Sequence, residues 1–363
     1  MESNARQRSD ELDIIKAFGI MAVVYGHALG PFANFVSLYH LALFFFVSGY
    51  LYKDSYAQEP LVLVKKRLRS LYVPFAGFGL FFGLLHNVLF RLSIYTDRLT
   101  SQYNQVFYLN GTKEYLLNLL KIASFAKVEQ IVAAMWFLPV LFIVQLLFVA
   151  PDFLITRFAP RQREVLLAMF VTALFLAGYL YYPEKNLVLR PVSIAMVVMS
   201  VFYAGHLFRK FGGGLAVKKA YALLCFVLLA VASRFGTIDT GGHQFVSPLF
   251  YLGCSLCGVY LHLCIARSVT DGSLVKRFLV HVGRNTITIL ALHFLAFRAV
   301  NYLLVRIYDL PAYMTGQHPK ISTTGLWWLA YFSAGVLLPL AVKAAYDRLA
   351  QAVVGKREAP TAV

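Results

Sequence analysis

Two ionisable side chains stand in an apolar stretch near the start of the chain, where residues 14–29 read IIKAFGIMAVVYGHAL. Lys16 and His27 are eleven residues apart, which on an α-helix places them on nearly the same face with about 16 Å of rise between them. A charged side chain at the bilayer centre costs roughly 2.5 to 3.5 kcal/mol on insertion scales, so intramembrane charges tend to be functional. Asp13 is placed to pair with Lys16 across one turn. The alternatives are a Lys16 that snorkels to the headgroups and a His27 that is a hydrogen-bonded core residue.

Two more histidines fall in apolar stretches. His40 opens the segment YHLALFFFVSGYL, and the short turn before it brings it back towards His27. His293 lies in GRNTITILALHFLAF, about 12 Å along a helix from Asn285. Ser48 is interpreted as part of a close helix contact and not as a nucleophile, since no nucleophile-elbow motif surrounds it. A neutral imidazole can in general act as a base or as a nucleophile.

A basic run follows the second apolar segment, in LVKKRLRSLYVPF. Lys66, Arg67 and Arg69 at a membrane surface normally anchor the topology, but they also suit a phosphate-rich cosubstrate. Trp136, in AAMWFLPVLF, has the position of an interfacial aromatic residue.

The elements that carry these residues are predicted to be membrane helices. Hydrophobic residues make up 59% of the 363 positions and charged residues only 14%, far from the composition of a soluble protein. We predict an all-α polytopic membrane protein, organised as one domain over residues 1–363. Apolar runs long enough to span a bilayer predict about ten transmembrane helices, near 12–30, 34–52, 72–92, 132–150, 165–182, 191–208, 219–234, 246–266, 278–303 and 326–346.

The positions of the basic residues explain the net charge of +17. With the N-terminus inside, 20 Lys and Arg residues fall in inner segments and 11 in outer ones. The positive-inside rule therefore predicts that both termini are cytoplasmic, and no nucleic-acid partner is expected. Acidic residues such as Asp10 and Glu11 break the pattern of a cleavable signal peptide. Cys254 and Cys257 form a C-x-x-C within a predicted span, which favours packing over a metal or redox site.

At these residues the chain resembles the acyltransferase-3 family of integral-membrane O-acyltransferases, especially its exopolysaccharide and fucose 4-O-acetylase branch. The first-helix motif of that family has an arginine or lysine separated from a histidine by ten residues. Its second helix carries a pattern similar to YHLALFFFVSGYLYKD, and a basic R-x-x-R motif follows. The matching positions are Asp13, Lys16 and His27; His40 and Ser48; Lys66 to Arg69, with lysine in the first place; Trp136 to Leu138; and Gly283 to Asn285 with His293. We expect no appended soluble domain.

The resemblance implies a membrane enzyme that moves acetyl from cytoplasmic acetyl-CoA to a sugar hydroxyl of an exopolysaccharide or lipid-linked glycan on the outer face of the bacterial inner membrane. Its partners are then acetyl-CoA as cosubstrate, a glycan acceptor and membrane lipids, with no bound cofactor or metal. The implied sites are catalytic His27, His40 and Asp13; CoA-binding Lys16, Lys66, Arg67 and Arg69; and supporting Ser48, Trp136, Asn285 and His293. A transporter or flippase for a lipid-linked sugar is the alternative, but its expected two related halves are not visible in the sequence.

Overall fold

The computed structural model describes residues 2–98, 108–183, 186, 189–212, 218–322 and 324–357. Within these ranges the regular structure is helical, without a β-strand, and one isolated bridge joins Asp239 and Gln244. The prediction of an all-α fold is confirmed. The α-helices are α1 (Glu2–His27), α2 (Ala33–Ser37), α3 (His40–Tyr50), α4 (Pro60–Arg67), α5 (Val73–Arg91), α6 (Thr112–Ala123), α7 (Phe137–Phe158), α8 (Arg163–Leu180), α9 (Leu189–Phe211), α10 (Lys219–Ala232), α11 (Pro248–Ser268), α12 (Leu274–Arg284), α13 (Thr286–Ile307) and α14 (Trp327–Arg357).

Eight helical segments of the described chain are long and apolar enough to cross a membrane. They are Ala33–Tyr50, Pro60–Arg91, Gln130–Phe158, Pro160–Leu180, Leu189–Phe211, Pro248–Ser268, Thr286–Ile307 and Trp327–Ala352. Two further predicted spans are helices without this character. The helix α10 has only 14 residues, and α1 carries four charged residues between Asp10 and Lys16.

The predicted span 278–303 is two helices, because the backbone leaves the helical conformation at Asn285. The side-chain amide Nδ2 of Asn285 donates to the backbone carbonyl of His281 at 2.8 Å and closes the last turn of α12. The segments before and after Asn285 are both apolar, so hydropathy alone predicts a single helix across this break. Exposed Leu274 and Phe278 show that α12 lies at the surface of the bundle.

Two close helix contacts position the residues of interest. A Cβ on Gly283 would lie 1.9 Å from the carbonyl oxygen of Asp13, so only glycine lets α12 meet α1 there. A Cβ on Gly49 would lie 1.8 Å from the carbonyl oxygen of Phe202, which fixes α3 against α9 in the same way. The helix α1 also packs against α3 and against α13, the helices that carry the other residues of the candidate site.

Candidate active site

His27 at the end of α1 and His293 in α13 form a hydrogen bond between their rings, with His27 Nδ1 3.0 Å from His293 Nε2. The ring planes differ by only 4° and the centroids are 5.2 Å apart, so the rings meet edge to edge. His293 is completely buried, whereas His27 is partly exposed. The pair therefore joins a buried histidine to one that can meet a substrate.

The backbone of α13 determines which nitrogen of His27 is basic. His293 Nδ1 lies 3.0 Å from the carbonyl oxygens of Ile289 and Leu290, and because a carbonyl only accepts, this nitrogen carries the hydrogen. The Nε2 of neutral His293 is then an acceptor, so the shared hydrogen belongs to His27 Nδ1. Nε2 of neutral His27 keeps its lone pair. The arrangement orients His27 as a proton acceptor.

A cavity of about 1560 Å³ contacts His27 and extends in both directions from it. The chain directions of α1, α3, α13 and α14 place its two charged regions on opposite sides of the bundle. The basic end is lined by Lys16, Arg67, Arg284 and Lys343, and the loop end by Asn34, His40, Trp136, Arg190 and Asp239. Predicted site residues Ser48 and Asn285 also line the cavity. One space thus connects a cationic region with the base nitrogen of His27.

Asp13 balances two cations at the basic end. Its carboxylate lies 2.7 Å from Lys16 Nζ and 3.0 Å from Arg284 Nε, and Asp10 lies 3.2 Å from the same guanidinium. These ion pairs join α1 to α12. Asp13 precedes His27 by fourteen residues, about 21 Å along α1, so it contacts the basic end and not the histidine pair. Its catalytic role stays a prediction.

The basic side chains of residues 66–69 lie in different environments. Arg67 lines the cavity, Lys66 donates to the hydroxyl of Tyr56 at 3.2 Å, and Arg69 is exposed outside the lining. A π-helical turn, Leu68–Tyr72, follows Arg67 and changes the face on which later side chains lie. Of the predicted phosphate-binding residues, the structure therefore brings Lys16 and Arg67 to the cavity.

His40 lies near His27 as predicted, in the wall of the same cavity. Its Nδ1 donates to the carbonyl of Val36 at 3.0 Å, so its Nε2 also keeps a lone pair when the ring is neutral. In the described part of the chain the His27 ring is hydrogen-bonded to His293, and no hydrogen bond joins His27 to His40. The sequence placed the two rings correctly but did not distinguish which histidine orients His27.

The sequence analysis missed a second buried histidine pair. His86 Nδ1 lies 3.1 Å from Glu129 Oε2 and its Nε2 lies 2.9 Å from the carbonyl of Tyr108. Tyr95 donates to the same carboxylate oxygen at 3.2 Å. His86 and Glu129 are 2% and 0% exposed. The signal for this pair was an ionisable residue inside the third predicted span.

A buried arginine, Arg298, is connected to His27 through the rings of His318 and Phe294. Arg298, 2% exposed, donates to Gln130 Oε1 at 3.0 Å and to His318 Nδ1 at 3.3 Å. Burial and the neighbouring guanidinium hold the pKa of His318 well below 6.5. The His318 ring packs on Phe294 with centroids 4.5 Å apart, and Phe294 packs on His27 at 4.7 Å. This network supports the wall behind the site.

The described residues include no group of three His, Cys, Asp or Glu side chains placed to hold a metal ion. Cys254 and Cys257 are free thiols in α11.

In a comparison with protein families, residues 9–344 match the family model described as an acyltransferase domain. No curated protein matches the chain, and no solved structure does. The match includes α12 and α13 in full and α1 from residue 9 onwards, the parts of these helices that carry His27, His293, Lys16 and Arg284.

Proposed function

Because the chain belongs to the acyltransferase-3 family, we propose that it is an O-acetyltransferase that transfers acetyl from cytoplasmic acetyl-CoA to a sugar hydroxyl of an exopolysaccharide or lipid-linked glycan. The acceptor is modified on the outer face of the bacterial inner membrane. The observation that carries the proposal is the lone pair of His27 Nε2, fixed by His293 in a cavity that also contains the basic end.

In the proposed reaction His27 Nε2 accepts the proton of the sugar hydroxyl while the oxygen attacks the thioester carbonyl carbon. The imidazolium that forms donates from Nδ1 to His293 Nε2, which stabilises its charge. When the carbon–sulfur bond breaks, the CoA thiolate takes the proton from His27. A covalent route would use the same nitrogen as the nucleophile, so an acid-quenched enzyme carrying acetyl on His27 would identify that route instead.

The basic end is the proposed site for the CoA phosphates, since guanidinium and ammonium groups form charge-assisted hydrogen bonds with phosphate. Lys16 is balanced by Asp13 and Lys343 lies 2.5 Å from Asp347, whereas Arg67 lines the cavity with a buried, unpaired Nε. Ile20, Val23 and Phe44 line the stretch between Lys16 and His27. That apolar stretch, about 16 Å long, suits the arm that carries the thioester.

The proposed direction of transfer follows from the excess of basic residues in segments 53–69, 209–219 and 267–277, which supports cytoplasmic termini. With that orientation the basic end faces the cytoplasm, where acetyl-CoA is found, and the loop end faces outwards.

Arginine variants of the purified enzyme test the donor site. Arg67→Ala should raise the KM for acetyl-CoA about tenfold or more, since hydrogen bonds to charged groups contribute roughly 1.5 to 3 kcal/mol. Arg69→Ala is the matched control, because it removes an equal charge two residues away outside the cavity. The rate of thioester consumption is measured against acetyl-CoA concentration. Equal KM values in both variants and the wild type would contradict the proposed donor site.

A further inference from the structure

A braced hairpin forms one wall of the loop end. Asp239 and Gln244 exchange backbone hydrogen bonds of 2.9 and 2.8 Å, and Arg190 Nη2 donates to the carbonyl of Gly241 at 2.8 Å. The His243 ring stacks on Tyr182 with centroids 4.2 Å apart. These contacts hold residues 237–244 against α8 and α9, so the side chains that the hairpin presents to the cavity have fixed positions.

The hairpin brings an indole ring and a carboxylate to the same part of the cavity. A Cβ on Gly241 would lie 3.2 Å from the Trp136 ring, so the hairpin tip rests on that ring. The Asp239 carboxylate accepts the Gly242 N–H at Oδ1, 3.0 Å away, and an ionised carboxylate has further acceptor positions. Trp136 and Asp239 both line the cavity that contains His27.

We propose that Trp136 and Asp239 form the subsite for the acceptor sugar, with one face of the sugar ring on the indole and ring hydroxyls donating to the Asp239 carboxylate. The inference rests on the proposed function and adds the residues that select the acceptor. A sugar ring offers an apolar C–H face and a rim of hydroxyl donors, and this pair supplies an aromatic surface and an anionic acceptor. The reacting hydroxyl then extends along the cavity to His27.

The surroundings favour a hydroxyl-bearing ring over a phosphate group at this position. Arg190 is engaged with the Gly241 carbonyl and lies over the Tyr182 ring, 5.8 Å from its centroid, so it serves the hairpin. The Asp239 carboxylate would repel a phosphate placed on the same surface. Asn34 and Thr240, also in the lining, add neutral hydrogen-bonding groups.

Asp239→Asn in the full-length purified enzyme is the main test, with alkali-treated cell-surface polysaccharide from the producing cells as acceptor. We expect the KM for this acceptor to rise at least tenfold, while the KM for acetyl-CoA stays unchanged. Asp309→Asn is the control, since Asp309 is exposed on the loop after α13, outside the cavity lining. Its positive φ of 47° is one that asparagine tolerates.

Two further substitutions separate the subsite from general damage to the fold. Trp136→Phe should keep most acceptor affinity and Trp136→Leu should lose it, because only the first retains an aromatic surface. Gly242→Ala would place a Cβ 2.4 Å from Asp239 Oδ2 and displace the carboxylate, so acceptor KM should rise. Gly253→Ala, with no atom within 4 Å of the new Cβ, should leave it unchanged.

The outcomes separate this inference from the proposed function. If the wild-type enzyme transfers acetyl to the polysaccharide and Asp239→Asn does so with the same acceptor KM, the subsite is wrong while the proposed function stands. If the wild-type enzyme transfers no acetyl group to it, the proposed function fails, and the subsite with it. A rise in acetyl-CoA KM equal to the rise in acceptor KM would also overturn the subsite.

Discussion

Two histidine pairs in the described chain, His27–His293 and His86–Glu129, differ in chemistry because the hydrogen-bond partners of their rings differ. In the pair His27–His293, His27 Nδ1 donates to His293 Nε2, and His293 Nδ1 donates to a backbone carbonyl. Nε2 of His27 is left with a lone pair. In the pair His86–Glu129 both nitrogens of His86 face oxygen acceptors, so both carry hydrogen and no lone pair remains. His27 Nε2 can therefore accept a proton. His86 cannot, because both of its ring nitrogens donate to oxygen atoms.

The comparison indicates that the hydrogen-bond partners of a histidine ring determine whether one of its nitrogens keeps a lone pair. Backbone carbonyls that accept from His293 make it an acceptor for His27, which stays a neutral base. The carboxylate of Glu129 instead favours an imidazolium at His86 and a buried ion pair, which joins α5 to the segment before α7. The first arrangement suits turnover, and the second suits stability.

The largest expected effect is on turnover. His27→Ala should lower kcat/KM for acetyl transfer by roughly 10² to 10⁴, the range for loss of a general base, without loss of the folded protein. Radiolabelled acetyl transfer by the purified variant measures the effect. His281→Ala, an exposed histidine of α12, is the control. Normal transfer by the His27 variant would remove the distinction between the two pairs.

The second prediction concerns the ion pair. Glu129→Gln should destabilise the fold by about 3 kcal/mol, near the lower end of the cost of breaking a buried ion pair, because His86 loses its anionic partner. A lower Tm in detergent is the expected result, with kcat within a few-fold of wild type below the transition. A variant that keeps its Tm but loses 10²-fold in kcat would assign His86–Glu129 to the chemistry.

A smaller effect is expected when the orienting histidine changes. His293→Phe removes the acceptor for His27 Nδ1–H and should lower kcat about tenfold, the value of one hydrogen bond of roughly 1 kcal/mol or slightly more. His293→Gln offers an amide oxygen as acceptor and should restore much of the rate. Because the bond favours the imidazolium of His27, the acidic limb of the pH–rate profile should move to lower pH in the Phe variant. Identical profiles would show that His293 only packs.

The smallest effect involves His318, a third kind of buried histidine that accepts from an arginine. Its folded-state pKa is lowered below 6.5 by burial and by Arg298, so its neutral form stabilises the fold above about pH 6.5. That stability is lost as pH falls below 6.5, because the unfolded chain then binds the extra proton. Tm measured from pH 8 to pH 5 should fall less steeply in His318→Gln than in wild type. The same slope in both proteins would contradict the assignment.

Much of the site was predictable because it depends on local spacing. The shared face of Lys16 and His27, the pairing of Asp13 with Lys16, and the proximity of His40 follow from helix geometry and a short turn. The bond from His27 to His293 spans 266 positions and depends on how α1 packs against α13, which no local pattern specifies. The same limit applies to Glu129, whose partner His86 is 43 residues away.

The remaining errors have local causes that hydropathy does not report. The break at Asn285 leaves the apolar character of 278–303 intact, so one span was predicted where α12 and α13 meet. Arg67 and Arg69 are two residues apart, about 200° around a helix, so the cavity that Arg67 lines does not include Arg69. Neither feature changes the composition of its segment.

The apolar belt formed by Ile20, Val23, Phe44, Val47 and Leu290 between the two ends of the cavity has an electrical consequence. A bilayer that stores an ion gradient cannot contain a water-filled passage, and an apolar constriction resists wetting and therefore ion conduction. A thioester arm can enter such a belt because most of its surface is uncharged. If the proposed transfer takes place, we therefore expect vesicles that contain the protein to hold a membrane potential during it, because the belt excludes ions.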